Sequence, residues 1–286
     1  MNGIVIVDKP SGWTSQDVTA KLRGVFQTRR IGHGGTLDPM ATGVLPVFVG
    51  RATRGVEFFE HAEKTYEAVL RLGLTTDTED ITGNVLEESF VAVTESEFLD
   101  SLAQFRGEIQ QIPPMYSALK INGQKLCDLA RKGKEVERQP RTITIHKLEC
   151  LEFAGNTAKL LVHCSKGTYI RTLCKDIGAA LGCGGCMESL RRVSAGAYTI
   201  EEAVPLSKLV ETEQPEKYLR GVDTMFGSYP AVTLTPNQET RCRNGNAFTL
   251  NIADGTYRAY GQNGEFLMLA KAEDGIMSTI KSFFEV

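Results

Sequence analysis

The first part of the chain contains short apolar runs. Polar turns separate them, together with one stretch in which apolar residues have the spacing of a helix. Residues 4–7 and 43–50 are continuous apolar runs, which predict two buried strands. Between them a helix is predicted, with Thr14 or Ser15 as the residue that caps its first turn. Residues 66–74 alternate apolar and polar positions, which predicts a strand with one buried face. The pattern indicates a protein of mixed α and β structure.

A second helix is predicted over residues 94–109, where Thr94 and Glu97 have the spacing of a capping box. The segment before it, residues 75–84, is rich in threonine, aspartate and glycine and predicts a polar hairpin loop. Its aspartates suggest a metal loop, but their spacing does not match that of an EF-hand. Residues 123–139 predict a basic helix followed by an exposed arm.

The rest of the chain favours strands. Residues 142–153 and 157–164 predict two strands, and a helix is expected after the turn at Gly167. Toward the end, short strands separated by Asn-Gly and Asp-Gly turns predict a small all-β module. We therefore expect two domains, residues 1–225 and 226–286, as the length of the chain allows.

Composition is typical of a soluble globular protein. Hydrophobic residues make up 42% of the chain and charged residues 23%, and no apolar run approaches the roughly 18 residues of a membrane span. The start of the chain has no signal-peptide features, so a cytoplasmic protein is expected. The seven cysteines are scattered, which argues against a disulfide framework. Cys183 and Cys186 have CxxC spacing, which fits a redox or metal pair, or small residues at a helix end.

Charge is unevenly distributed, although the net charge is −3. Residues 60–100 hold eleven acidic and two basic residues, whereas residues 120–141 hold seven basic and three acidic ones. Residues 29–54 hold four arginines and a single acid. This asymmetry fits a basic face that meets a polyanion, and it also fits ordinary solvated loops.

The single acid of residues 29–54 is Asp38, which follows Gly34 and Gly35 and precedes Pro39. Glycine permits positive φ, and proline restricts the residue before it, so the carboxylate sits on a constrained backbone. Such a carboxylate can serve as a nucleophile, a general base or a metal ligand, or it is an ordinary turn aspartate. Phosphate-loop and serine-hydrolase motifs are missing from the sequence, and Met40 stands where a phosphatase would have its second aspartate.

A second candidate stretch is HCSKGTYIRTL, residues 163–173. Tyr169 and Arg171 are predicted to alternate on one face of a strand, where an aromatic ring could stack on a base and a guanidinium could pair with a carboxylate. A solvated strand face would show the same two residues, so this stretch alone leaves both interpretations open.

Six motifs resemble, in order and spacing, those of the bacterial tRNA pseudouridine synthase B family. They are DKPSGWTS, GHGGTLDPMATGVLPV, YEAVLRLG, IPPMYSALKINGQKL, SKGTYIRTL and LRRVSAGAY, and the resemblance covers nearly all of residues 2–200. The resemblance continues more weakly through RCRNGNAF. It implies an α+β pseudouridine synthase fold, with a mixed, largely antiparallel central sheet flanked by helices and a small C-terminal PUA-like β domain. The implied reaction is isomerisation of uridine 55, in the T-loop of tRNA, to pseudouridine.

The resemblance also implies roles for individual residues. Asp38 is the expected nucleophile on a flipped-out uridine, and whether it attacks C1′ or the base is left open. Arg171 is expected to pair with this carboxylate and keep it ionised, and Tyr66 to stack on the uracil and assist proton removal. The other implied residues support binding: Tyr169 and Leu190 line the base pocket, His33 fills the gap left in the T-loop, and Lys9 and Pro10 pack against the catalytic loop.

The same resemblance implies the partners. The expected substrate is the T-arm stem-loop of tRNA, gripped by a basic insertion at about residues 113–142. We expect no metal, no cofactor, no membrane and no obligatory protein partner. Two other functions remain open: a non-catalytic tRNA-binding or tRNA-folding module, and a Mg²⁺-dependent phosphatase with an aspartate nucleophile.

Overall fold

In the computed structural model the described residues are 1–121 and 123–285. The helices of this part of the chain are α1 Ser15–Val25, α2 Val56–Phe59, α3 Glu95–Ser101, α4 Leu126–Ala130, α5 Ile170–Ala180, α6 Leu206–Glu211 and α7 Pro236–Arg243. The strands are β1 Gly3–Lys9, β2 Ile31–His33, β3 Thr42–Val49, β4 Lys64–Leu72, β5 Leu74–Thr76, β6 Val85–Glu88, β7 Gly107–Gln111, β8 Lys120–Ile121, β9 Gln124–Lys125, β10 Arg141–Phe153, β11 Thr157–Cys164, β12 Gly185–Ala195, β13 Tyr198–Thr199, β14 Val204–Pro205, β15 Ala231–Thr233, β16 Phe248–Thr249, β17 Gly255–Tyr260, β18 Phe266–Glu273 and β19 Ile276–Ser282.

These elements form two compact units. The first unit comprises residues 1–39, 44–60 and 196–286, and the second comprises residues 40–43 and 61–195. Strand β3 begins in the second unit and continues in the first. None of the helices in residues 1–121 and 123–285 is long and apolar enough to cross a membrane.

A sheet forms the centre of the second unit. Its strands lie in the order β12-β4-β11-β10-β7, and each strand is antiparallel to its neighbours. Thr42 and Gly43, at the start of β3, add a short parallel pairing with Arg191 and Arg192 of β12. The predicted strands over residues 66–74, 142–153 and 157–164 correspond to β4, β10 and β11. The expectation of a largely antiparallel sheet is confirmed.

Helix α5 packs closely against β12 and β4 because glycines line the contact. A Cβ atom on Gly178 of α5 would lie 2.3 Å from the backbone carbon of Gly184. A Cβ atom on Gly185 of β12 would lie 3.1 Å from Cδ1 of Leu70. Leu70 and Tyr66 belong to the same buried row of alternate residues in β4. Helix α5 therefore covers the face of the sheet to which Tyr66 belongs.

In the first unit, β1 lies between β14 and β3, and β2 pairs with β3 in antiparallel orientation. Helix α1 packs against α6 and β2. Of the two candidate caps of α1, Thr14 is the one observed. Its hydroxyl accepts a hydrogen bond from the Asp17 N–H, and the Asp17 carboxylate accepts one from the Thr14 N–H. The helix and both strands predicted for this region are confirmed.

The last part of the first unit is a five-stranded sheet in the order β15-β17-β18-β19-β16. Its buried side chains include Leu234, Phe248, Met268 and Met277. The predicted C-terminal β module is confirmed, and it also contains α7, which the sequence pattern did not predict. The boundary near residue 225 stays a prediction.

Residues 94–109 do not form one helix, and that prediction is wrong. Helix α3 ends at Ser101, a 3₁₀ turn follows through Phe105, and β7 begins at Gly107. Gly107 has a φ of +82°, which helical residues do not adopt. Strand β7 pairs with β10, with Gln111 opposite Arg141. This pairing with a distant segment outweighs the local helical pattern.

Tyr169 and Arg171 do not alternate on a strand, which corrects a second expectation. Strand β11 ends at Cys164, and Gly167, with a φ of +78°, turns the chain as predicted. Tyr169 is the N-cap residue of α5, so Arg171 belongs to the first turn of a helix.

The basic helix predicted over residues 123–139 is shorter than expected, since only α4 is helical there. A turn and an irregular segment follow it up to β10. Asn122, which belongs to the predicted basic insertion, lies outside the described residues.

Candidate active site

Asp38 lies in the loop between β2 and β3 and is half-buried. Two of the preceding glycines are required by the path of this loop. A Cβ atom on Gly34 would lie 2.5 Å from Cδ1 of Phe59, and Gly35 has a φ of +90°. The loop thus follows a path that larger residues at these two positions would disturb.

Lys9 fixes the main chain on one side of Asp38. Its side chain is fully buried, and Nζ donates hydrogen bonds to the carbonyl oxygens of Pro10 at 2.9 Å, Trp13 at 2.6 Å and Pro39 at 3.1 Å. A buried ammonium is costly unless its N–H groups find acceptors, and these three carbonyls supply them. Because Pro39 follows Asp38 directly, the ammonium anchors the residue after the candidate nucleophile.

Ser15 fixes the main chain on the other side. Its buried hydroxyl accepts a hydrogen bond from the Leu37 N–H at 2.9 Å and donates one to the Leu37 carbonyl at 3.3 Å. The Gly12 N–H adds a 2.8 Å hydrogen bond to the Pro39 carbonyl. Sequence reasoning considered Ser15 as a helix cap and missed this contact. Both neighbours of Asp38 are therefore held by hydrogen bonds.

His33 is the last residue of β2, opposite Val47 of β3, and is partly exposed. The next residue, Gly34, donates its N–H to the Pro46 carbonyl at 2.8 Å. His33 therefore borders the loop that carries Asp38, and its role toward RNA stays a prediction.

In the second unit, Tyr66 and Leu190 belong to one face of the sheet. Tyr66 of β4 lies opposite Arg192 of β12, and Ala68 lies opposite Leu190. Residues directly opposite each other in an antiparallel sheet share a face. Tyr66 and Leu190 are each 8% exposed, so both keep a small accessible edge.

Lys64 belongs to the same row of β4 as Tyr66, and it was not identified from the sequence. Its ammonium donates a hydrogen bond to the Ala62 carbonyl. Burial, together with the nearby positive charge of Arg192, lowers the pKa of Lys64 to about 8. Two basic side chains therefore belong to the sheet face that carries Tyr66.

The guanidinium of Arg171 is held by main-chain carbonyls. Nη1 donates to the Thr78 carbonyl at 3.1 Å and Nη2 to the Tyr116 carbonyl at 2.8 Å. An Asp80 carboxylate oxygen lies 4.0 Å from Nη1. The side chain of Arg171 is 6% exposed. Its orientation is therefore set by groups from two separate segments of the chain.

The loop that supplies Thr78 and Asp80 connects β5 to β6, a hairpin as predicted. Asp80 Oδ1 accepts hydrogen bonds from the hydroxyl of Thr78 at 2.9 Å and from the N–H of Thr82 at 2.9 Å. Glu79, whose φ is +63°, accepts hydrogen bonds from Thr172 at 2.6 Å and Lys175 at 2.8 Å. The sequence shows threonine on both sides of Asp80, which signals local hydrogen bonding, but it does not reveal the contacts with α5.

The eight predicted site residues divide between the two units. Lys9, Pro10, His33 and Asp38 belong to the first unit, and Tyr66, Tyr169, Arg171 and Leu190 belong to the second. The pairing of Asp38 with Arg171 stays a prediction.

The CxxC segment has the properties of buried structural cysteines. Cys183 follows α5 and Cys186 lies in β12, and both are buried. Burial raises the pKa of Cys186 to about 11, which suppresses its reactive thiolate form. In residues 1–121 and 123–285 no group of three or more His, Cys, Asp or Glu side chains is placed to hold a metal ion. Of the two interpretations left open for this pair, small residues beyond a helix end fit better.

Comparison with known proteins identifies the family. The TruB family pseudouridylate synthase N-terminal domain matches residues 23–170, and the tRNA pseudouridylate synthase B C-terminal domain matches residues 171–224. The tRNA pseudouridine synthase B of Clostridium kluyveri is 40% identical, over 99% of this chain and 100% of that protein. That of Dechloromonas aromatica is 45% identical, over 87% of this chain and 84% of that protein.

Solved structures share the fold. A chain of a Cbf5-Nop10-Gar1 complex is 28% identical, with a TM-score of 0.74 over 99% of this chain and 85% of that chain. A chain of an H/ACA ribonucleoprotein bound to a substrate RNA containing 2′-deoxyuridine is 25% identical, also with a TM-score of 0.74. These matches confirm the family resemblance and the predicted fold. The chain therefore belongs to the TruB family of pseudouridine synthases, enzymes that isomerise uridine to pseudouridine.

Proposed function

We propose that this enzyme converts uridine 55 in the T-loop of tRNA to pseudouridine, with Asp38 as the nucleophile. The observation that supports this most directly is the anchoring of the main chain on both sides of Asp38 by Lys9 and Ser15. A nucleophile that is held still needs little reorganisation when it attacks, which favours catalysis. The names of the relatives, each a tRNA pseudouridine synthase B, support tRNA as the substrate.

The reaction exchanges one bond to the ribose for another. The bond between C1′ and N1 breaks, a bond between C1′ and C5 forms, C5 loses a proton and N1 gains one. Atoms and electrons balance without an oxidant or reductant, and the scheme that we propose uses side chains of the protein. Whether Asp38 attacks C1′ or the uracil ring first is open.

The remaining site residues receive roles in the same scheme. Arg171 pairs with the carboxylate of Asp38 and keeps it ionised in a site that excludes water, since a nearby cation lowers the pKa of an acid. Tyr66 stacks on the extruded uracil and assists removal of the C5 proton. Tyr169 and Leu190 line the base pocket, His33 occupies the space the uridine leaves, and Lys9 and Pro10 support the loop.

RNA binding is assigned to the basic segment and the C-terminal module. Residues 120–141 would bind the T-arm phosphates with their seven basic side chains. The five-stranded C-terminal sheet would contact RNA as a PUA-like domain. We assign this activity to the cytoplasm and to the chain acting without an obligatory protein partner.

The decisive experiment replaces Asp38 with asparagine and measures tritium release from tRNA labelled at C5 of uridine. Loss of the nucleophile should lower the rate by more than about 10⁴-fold. Binding of tRNA, measured by filter retention, should stay within about threefold, because the change removes a single charge. Asp100→Asn, on the exposed side of α3, is the matched control and should keep full activity.

Two results would contradict the proposal. Appreciable tritium release by Asp38→Asn would show that another group is the nucleophile. Tritium release from a tRNA with cytidine at position 55 would show that a different uridine is the target.

A further inference from the structure

Gln111 makes a pair of hydrogen bonds that the proposed roles above do not use. It is the last residue of β7, and its side chain is 2% exposed. Its Nε2 donates to the Tyr169 carbonyl at 3.0 Å, and its Oε1 accepts from the Tyr169 N–H at 2.8 Å. A single side-chain amide thus binds both main-chain polar groups of Tyr169.

The orientation of this amide is unambiguous. A backbone N–H can only donate and a carbonyl oxygen can only accept, so Oε1 must face the N–H and Nε2 the carbonyl. The Tyr169 carbonyl also accepts the Leu173 N–H at 3.0 Å, the first main-chain bond of α5. Gln111 therefore grips the residue at which α5 begins, and it occupies the second acceptor position of that carbonyl.

The position of Tyr169 makes these two hydrogen bonds relevant to the reaction. Tyr169 is the N-cap of α5, with φ −101° and ψ 109°, and Arg171 follows two residues later. The guanidinium of Arg171 is bound further out by the Thr78 and Tyr116 carbonyls. Gln111 thus holds the main chain of Tyr169, and the two carbonyls hold the guanidinium of Arg171.

Strand pairing does not require the Gln111 side chain. Gln111 pairs with Arg141 of β10 through the backbone, which any residue can do. A buried amide that needs two partners carries a cost unless both are present, so its placement opposite a matching donor and acceptor is specific.

We propose that Gln111 is a positioning residue of this enzyme: its amide sets the start of α5 and thereby the placement of Tyr169 and Arg171 against the bound nucleoside. This inference rests on the proposed function for its effect on rate. Its effect on the helix start is independent of that function.

The experiment compares Gln111→Leu with the neighbouring control Gln110→Leu. Gln110 is exposed, and its amide bonds the Thr142 hydroxyl at 2.8 Å, so the control removes an amide of the same strand without touching α5. In Gln111→Leu, the single-turnover rate at saturating enzyme should fall about a hundredfold, as for a small misplacement of reacting groups. The dissociation constant for tRNA should stay within about threefold, because the change removes no charge.

Hydrogen exchange measured on the free protein tests the inference without activity. The peptide that covers residues 165–173 should exchange faster in Gln111→Leu than in Gln110→Leu. If exchange and rate both match the control, the positioning role is overturned. If the wild-type enzyme forms no pseudouridine, the proposed function fails, and the exchange comparison alone decides whether Gln111 holds the helix start.

Gln111→Glu provides a second variant and a pH signature. A carboxylate can accept the Tyr169 N–H but cannot donate to its carbonyl, whereas a protonated carboxyl can do both. Burial raises the pKa of a glutamate at this position, so its protonated form increases as pH falls. Activity of Gln111→Glu relative to wild type should therefore rise from pH 8 to pH 5.5, while that of Gln111→Leu should not. A flat ratio with folded protein would overturn the inference.

Discussion

The loop that carries Asp38 and the first turn of α5, which carries Arg171, are held in different ways. In the loop, Lys9 and Ser15 bind main-chain atoms of the residues on either side of Asp38. In α5, the guanidinium of Arg171 is itself bound, by the Thr78 and Tyr116 carbonyls. The loop is thus fixed by its backbone, and the arginine by its side-chain end.

The two regions differ in whether the atoms expected to take part in the reaction also hold the structure together. Because Lys9 and Ser15 bind main-chain atoms, both can still hold the backbone when the Asp38 side chain is changed. At Arg171 the same atoms have both functions, since the guanidinium that would pair with a carboxylate also satisfies buried carbonyls. Substitution of Arg171 should therefore affect stability and activity together, whereas substitution of Asp38 should affect activity far more than the path of its loop.

Among changes to the residues that support the site in these two regions, Arg171→Lys should have the largest effect. A lysine ammonium cannot reproduce the planar guanidinium that spans the Thr78 and Tyr116 carbonyls. We expect the rate of pseudouridine formation to fall about 10³-fold, typical of lost electrostatic stabilisation. The free energy of unfolding should fall by about 1–3 kcal/mol because buried carbonyls lose their donors. Single-turnover kinetics and urea unfolding measure the two quantities.

Arg131→Lys is the matched control, since Arg131 is exposed and pairs with Asp128 at the surface. Its stability should match wild type. If Arg171→Lys lost activity without any loss of stability, the guanidinium would not be the support that the structure indicates, and the contrast with Asp38 would disappear.

The parts of the fold that were predicted correctly are those with a local signal. The alternation in β4 and the capping box of α3, Thr94 with Glu97, depend on residues close together in sequence, so the sequence pattern alone predicts them. The helix prediction failed at residues 107–109 because the helical spacing before them is local, whereas their pairing with β10 joins residues 34 to 38 positions apart.

In the candidate site, too, features with a local sequence signal were predicted, and contacts between distant residues were not. Asp38 stands out in the sequence by its charge and its glycine and proline neighbours, and the resemblance supplied the other roles. The supporting contacts were missed because their partners are distant: 22 residues separate Ser15 from Leu37, and 58 separate Gln111 from Tyr169. A serine or glutamine carries no sequence signal for such a contact, so only the folded chain reveals it.

Lys9→Met should have the second-largest effect, and it tests the loop from its backbone side. Methionine keeps the length of the side chain but leaves the carbonyls of Pro10, Trp13 and Pro39 without this donor. We expect the free energy of unfolding to fall by about 2–3 kcal/mol, as for hydrogen bonds to a charged group. The rate should fall about a hundredfold because Pro39, the residue after Asp38, loses the ammonium that binds its carbonyl.

Lys21→Met, on the exposed side of α1, controls for the loss of one positive charge. Urea unfolding and single-turnover rates of the two variants are compared with wild type. An active Lys9→Met with unchanged rate would show that the Pro39 anchor is not needed to place Asp38.

Ser15→Ala should have the smallest effect. It tests whether the Lys9 contact can hold the loop when the Ser15 contact is lost. The change removes the hydroxyl that bonds the Leu37 N–H and carbonyl, while Lys9 still binds the Pro39 carbonyl. Stability should fall by about 1 kcal/mol, as for one lost neutral hydrogen bond, and the rate by about tenfold. Ser11→Ala, an exposed serine in the preceding turn, should match wild type in both. A Ser15→Ala rate as low as that of Lys9→Met would mean that both anchors are needed at once to place Asp38.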